Sequence, residues 1–133
     1  MKLLRREAVV KSIQETAALF GVSTRTLRYY EEFGLLTPGR SSGNQRVYSS
    51  QDAAKLKLIL RGKKYGFSLE QIREMVLLFD EDRSGRKQLE RSIEYGEKRV
   101  EEIERSIREF QLLKEEMEDL LVNFKQKLEE EES

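Results

Sequence analysis

Two arginines, a hydroxyl and a phenol stand within five residues of one another, at Arg25, Thr26, Arg28 and Tyr29. On a helix whose Leu27 and Tyr30 turn inward, the 3.6-residue period sends these four side chains outward together. Guanidinium forks, hydroxyls and phenols on one exposed helix face are the groups that hydrogen-bond base edges and phosphates in a DNA groove. The sequence offers little competing chemistry. It has no cysteine and no histidine, which excludes disulfides, thiolate metal sites and Cys or His nucleophiles. No carboxylates have metal-ligand spacing and no Gly-rich run suits a phosphate, so neither a metal nor a cofactor is expected, and an enzyme is a poor reading.

The elements that must position those groups are legible from caps and turns. Ser12 followed by Glu15 forms a capping box, so a first helix is expected over Ile13–Phe20, led into by an extended piece at Val9–Val10. Gly21 closes that helix, Ser23 caps a second through about Glu32, and Gly34 ends it. A helix, a Gly-Val-Ser turn and a second helix make a helix-turn-helix, with Ala17, Leu19, Phe20, Val22, Leu27 and Tyr30 as its packing residues. The following LLTPGRSSGNQRVYS reads as a hairpin that carries Arg40, Arg46 and Tyr48 beside the second helix. A third helix starts near Ser49–Asp52 and stops at Gly66. Its Leu56, Ile59 and Leu60 point inward, while Lys55, Arg61, Lys63 and Lys64 supply positive charge. Ser68 and Gln71 cap a fourth helix to about Phe79, with Ile72, Met75, Val76 and Phe79 facing a core, before a loop at Asp80–Arg86.

Charge divides along the chain. The 133 residues are formally neutral, yet residues 1–66 carry 13 Lys/Arg against 5 Asp/Glu and residues 67–133 carry 12 against 20, a split of +8 and −8. The basic end suits phosphates and the acidic end stays away from them. No apolar run reaches the roughly 18 residues of a membrane helix, and MKLLRREAVVK lacks a signal-peptide core, so a cytoplasmic protein with no membrane partner is expected.

Beyond the loop the apolar period changes. Leu89, Ile93, Gly96, Val100, Ile103, Ile107, Phe110, Lys114, Met117, Leu121, Phe124 and Leu128 recur alternately four and three apart, and only Gly96 and Lys114 of the twelve are not apolar. This is a coiled-coil seam about 60 Å long. One helix cannot bury such a stripe, so a partner is required, and a second copy is the obvious one. Val100, Ile103, Ile107, Phe110, Met117 and Leu121 are the expected dimer contacts. The expected division is a DNA-binding domain over 1–82 and a dimerisation helix with an acidic tail over 83–133.

The strings VSTRTLRYYEEFGLLTP, NQRVYS and LKLILRGKKYGFSLEQIREM resemble the MerR family of bacterial transcriptional regulators in order and spacing over about residues 12–79. The third string, with the LLFD that follows, also resembles the subgroup controlling branched-chain amino acid and fatty-acid catabolism. The resemblance implies a mainly α fold: a winged helix-turn-helix with a small β-hairpin wing and a long C-terminal helix that pairs in an antiparallel coiled-coil dimer. It implies binding to a palindromic promoter operator in double-stranded DNA, which is bent and untwisted so that RNA polymerase engages both promoter elements. Thr24, Arg25, Arg28 and Tyr29 match the recognition helix, Arg46 and Tyr48 the first wing, and Lys63–Lys64 the second. Where the family usually has Gly-Tyr-Arg, this chain has Asn44–Gln45–Arg46, keeping the arginine and replacing the aromatic by an amide.

Metal- and redox-sensing members use cysteines, and drug-sensing members carry a separate C-terminal domain, whereas this sequence closes soon after the seam. Any effector is therefore expected to be a small non-metal ligand, near Tyr95 or Phe110. The alternative function is a coiled-coil adaptor whose helical head binds another protein. It accounts for the heptads but not for two basic turns flanking an Arg/Tyr helix.

Overall fold

The computed structural model describes residues 10–132. The element order is β1 (Lys11–Ser12), α1 (Ile13–Phe20), α2 (Thr24–Glu32), β2 (Gly39–Arg40), β3 (Arg46–Tyr48), α3 (Ser50–Lys64), α4 (Leu69–Glu81) and α5 (Arg86–Glu132). It divides into two compact units, one reaching to Tyr95 and one starting at Gly96. Among the described residues no helix is long and apolar enough to cross a membrane.

Serine side chains begin the first four helices. Ser12, Ser49 and Ser68 form capping boxes with Glu15, Asp52 and Gln71, and Ser23 Oγ accepts from the Thr26 amide at 3.0 Å. Each cap satisfies amides that the first helical turn leaves without a partner. Gly21 sits at φ +66°, the left-handed conformation that ends α1 and lets α2 begin three residues later. The extended lead-in lies two residues further on than expected. Val9 falls outside the described residues, Val10 is exposed, and the strand is Lys11–Ser12. That strand pairs antiparallel with β3, which pairs antiparallel with β2, so the wing hairpin is tied to the start of α1.

The first unit closes around Leu27, Tyr30, Leu35, Leu36, Leu56, Ile59, Ile72, Met75 and Val76, all essentially buried. Leu19, expected in this core, is instead 62% exposed. The buried face of α1 runs Ile13, Thr16, Ala17 and the partly buried Phe20, and Leu19 lies about 100° off that stripe. Helix α4 continues to Glu81, so the connection shrinks to Asp82–Gly85. Asp80 is thereby a helical residue, and its carboxylate meets Lys55 Nζ at 2.7 Å. Asp82 Oδ1 accepts from the Ser84 hydroxyl at 2.6 Å and Oδ2 from the Lys87 amide at 3.2 Å, which hold this carboxyl below its usual range.

Helices α3 and α4 meet at Gly62. A Cβ there would meet Ile72 Cγ1 at 2.8 Å, so the absent side chain is what lets α3 and α4 touch. At the start of α5, Tyr95 donates to Glu74 Oε2 at 2.6 Å, Arg91 pairs with Glu74 at 3.0 Å, and the Ser92 hydroxyl contacts the Met75 sulfur. In the second unit α5 has no buried residue, and Val100, Ile103, Ile107, Phe110, Met117 and Leu121 all stand exposed.

Candidate nucleic-acid interface

Helix α2 is fixed from both sides. Leu27 and Tyr30 anchor it in the core, and the Ser23 cap, reinforced by a 2.9 Å contact between the Ser23 and Thr26 hydroxyls, sets where it starts. Thr26 is thus half-buried in the cap and less available than the sequence suggests, and Thr24 is also half-buried. Arg25, Arg28 and Tyr29 point outward as expected, and Tyr29 stacks on Phe33 with ring centroids 6.3 Å apart. Among the described residues neither Arg25 nor Arg28 has an ion-pair partner. Two cationic forks on a rigid helix, without carboxylates of their own, are free to meet an anionic surface.

The wing lies against the same helix. Arg46 Nε donates to Glu31 Oε2 at 2.6 Å and Arg40 Nη2 lies 3.6 Å from Glu31 Oε1, so both wing arginines converge on one carboxylate of α2. That hydrogen bond holds the Arg46 guanidinium above its usual value. Arg28, Arg40 and Arg46 line a cleft of about 260 Å³ between α2 and the wing. Glu31 belongs to the RYYEEFGLL string that carries the family resemblance but is not among the expected contact residues, because a glutamate beside a second glutamate does not show in the sequence what it will touch.

Tyr48 corrects the expectation of a wing contact. It is 3% exposed, and among the described residues its hydroxyl has no hydrogen-bond partner. Strand alternation does not decide this, because Arg46 and Tyr48 are two apart and share a face of the three-residue β3; Tyr48 at its end packs into the core, while Arg46 keeps a partly exposed position. Lys55 is a second correction. Its expected surface charge is 6% exposed and spent on Asp80, a clamp between α3 and α4.

At the other end of α3, Lys63 and Lys64 are exposed. Lys63 Nζ sits 5.8 Å from the Tyr30 ring centroid, and Lys64 Nζ 5.7 Å from that of Tyr65. Such cation–π contacts restrain the lysine stems and leave the ammonium groups open to solvent. Among the described residues no three acidic side chains gather as a metal ion would require.

A helix-turn-helix with an Arg/Tyr outer face, a hairpin against it and a basic turn beside it is now complete. Residues 11–77 match the family model described as MerR HTH family regulatory protein, and residues 53–120 match one described as MerR, DNA binding. The chain belongs to the MerR family. It is 34% identical over 111 residues to "HTH-type transcriptional regulator HmrR" of Rhizobium leguminosarum bv. viciae, covering 83% of each. It is 39% identical over 74 residues to "Heavy metal-dependent transcription regulator 2" of Rhizobium meliloti (strain 1021), covering 55% of this chain and 50% of that one. Among solved structures it is similar to HiNmlR, a MerR family regulator lacking the sensor domain, bound to promoter DNA. That likeness has a TM-score of 0.58 at 25% identity, over 77% of this chain and 76% of the other. The mainly helical fold with a small antiparallel sheet and a long C-terminal helix is therefore a MerR-type fold, and the protein is a DNA-binding transcriptional regulator, not an enzyme.

Proposed function

We propose that this MerR-family chain acts in the cytoplasm as a homodimer on a palindromic promoter operator, with α2 of each copy in a major groove. The observation that carries this reading is the exposed face of α2, where Arg25, Arg28 and Tyr29 point outward and, among the described residues, neither arginine has an ion-pair partner, while Leu27 and Tyr30 anchor the helix in the core. Arg25 and Arg28 read base edges or the adjoining backbone, with Tyr29 and Thr24 beside them. Arg40 and Arg46 of the wing, and Lys63 and Lys64 of the second basic turn, neutralise phosphates. Residues 1–82 do the binding, and residues 83–133 supply the second copy through Val100, Ile103, Ile107, Phe110, Met117 and Leu121. Contacts on both flanks of the helix hold the operator in a distorted form, at an elastic cost on the order of a few kcal/mol offset by the wing contacts. That distortion brings the two promoter elements into register for RNA polymerase. The effector, where one acts, is a small non-metal ligand. One relative is named for heavy-metal dependence, but the present sequence holds no cysteine or histidine to bind such an ion.

Fluorescence anisotropy against duplex from the protein's own promoter region, beside a scrambled duplex and at two salt concentrations, tests the proposal. Selective binding that weakens with salt is expected, because each neutralised phosphate releases counterions. Arg25→Ala and Arg28→Ala are each expected to cost about 10- to 100-fold in operator affinity, in line with roughly 1–3 kcal/mol per bidentate contact. Heavy-metal salts are expected to leave the operator isotherm unchanged. No binding at either salt would move the reading to a coiled-coil adaptor.

A further inference from the structure

Two of the arginines that line the cleft between α2 and the wing are paired with an acid where a DNA-facing surface needs bases. Glu31 does not line the cleft itself, but it brings a negative charge onto Arg40 and Arg46, which line it with Arg28, and charge alone makes it a liability for phosphate binding. The atoms involved indicate otherwise. Glu31 holds Arg46 by Nε, and among the described residues neither Nη nitrogen of Arg46 has a partner. An arginine secured at Nε keeps its two Nη groups as a fork, the shape that grips a phosphate by two hydrogen bonds. The second Glu31 oxygen faces Arg40 at 3.6 Å, which draws the other wing arginine to the same place. The amide of Ser12 at the start of α1 is already bonded to the Glu15 carboxylate at 2.8 Å, so the arginines, and not the helix end, are what this cleft presents to an anion.

We infer that Glu31 is a positioning residue for DNA binding. It aims Arg46 and Arg40 so that, with Arg28, they form a preorganised seat for one backbone phosphate between the recognition helix and the wing. The inference rests on the reading that this face binds DNA. Its physical basis is entropy: three long cations that repel one another would each have to be ordered on binding, and Glu31 orders two of them beforehand.

The sign of the effect tests it. Glu31→Gln makes the face more positive, so a purely electrostatic surface would bind any duplex more tightly. The positioning reading requires the opposite, a loss of about ten-fold for operator and scrambled duplex alike, the size of one charge-assisted contact. The salt dependence becomes shallower by roughly 0.9 in the log–log slope, one phosphate fewer. Arg46→Lys keeps the charge and removes the fork, and it should reproduce both changes. The double variant should lose no more than either single one. A gain in affinity for Glu31→Gln, an unchanged salt slope, or a loss that merely tracks a lower melting temperature would overturn the inference. Arg25→Ala in the same series keeps the two claims apart. If it weakens operator binding while Glu31→Gln does not, only the positioning claim falls. If the unaltered protein binds neither duplex, the DNA reading falls and takes the inference with it.

Discussion

The unit that reaches to Tyr95 and the part of α5 that starts at Gly96 obey the same hydrophobic rule with opposite results. In the first, helices of 8 to 15 residues turn their apolar sides on one another and bury them. In the second, 37 consecutive helical residues bury nothing, and Phe110 stands 70% exposed. An apolar residue in the first unit therefore reports the fold of one copy. An apolar residue in the second reports a surface that one copy leaves unfinished. Lys114 makes the same point in reverse. It occupies a seam position, pairs among the described residues with Glu118 at 4.0 Å, and the helix runs on through it, with Leu113 and Leu120 setting apolar side chains on the adjoining position.

The most damaging way to break this contrast is a charge in the seam. Ile107→Asp should leave the first unit folded and its melting behaviour intact, since the side chain belongs to the second unit and is 62% exposed. Association, measured by sedimentation velocity, should be lost. Operator affinity should then fall by about a hundred-fold or more, because two half-sites are no longer held by one linked pair of readers. A variant that still sediments as a dimer and binds normally would show that the exposed stripe is not the interface.

Gly62→Ala sharpens the contrast from the other side. In an isolated helix this change is favourable by about 1 kcal/mol. Here the new methyl would lie 2.8 Å from Ile72, a fully buried side chain with no room to retreat. Overpacking of that kind costs about 1–3 kcal/mol and outweighs the propensity gain. The melting temperature of the first unit should drop by several degrees while dimerisation is untouched, as thermal circular dichroism and sedimentation would show. A rise in melting temperature would mean that α3 and α4 have slack the geometry does not reveal.

The same two regions explain what the sequence could and could not disclose. Caps, left-handed glycines and the 3.6-residue period are local, so Ser12, Gly21, Ser23 and Ser68 placed three helix starts and one helix end to the residue. The heptad is local too, and it revealed the stripe without revealing what covers it. What stayed hidden depends on residues far apart in the chain. Lys55 looked like surface charge until Asp80, 25 residues on, came within reach. Glu31 gains its role only where the wing folds back on α2, and Gly62 only where Ile72 lies opposite it. Of the residues expected to face a groove, Arg25, Arg28 and Tyr29 are exposed as the sequence implies, because helical geometry alone exposes them. Tyr48 was not, because in a three-residue strand the face that becomes buried is chosen by the neighbouring helices.

Tyr48 also offers the mildest intervention and the most discriminating one. A buried hydroxyl without a partner costs stability in the folded state, so removing it while keeping the ring should be neutral or favourable. Tyr48→Phe is expected to change stability by about 0–1 kcal/mol in the favourable direction and to leave operator affinity as it was. Burial first, and the nearby Glu31 charge second, push the Tyr48 phenol above its ordinary 10.0. The folded protein thus holds that proton more tightly than the unfolded chain does. The resulting stabilisation is present below about pH 10 and lost as pH climbs through the raised value. The Phe variant has no such proton to lose, so its alkaline melting curve should fall less steeply than that of the unaltered protein. A drop in operator affinity with unchanged stability would return Tyr48 to the DNA-facing wing. A fall in stability would mean that the hydroxyl does have a partner in solution, most simply a water molecule at the edge of the core.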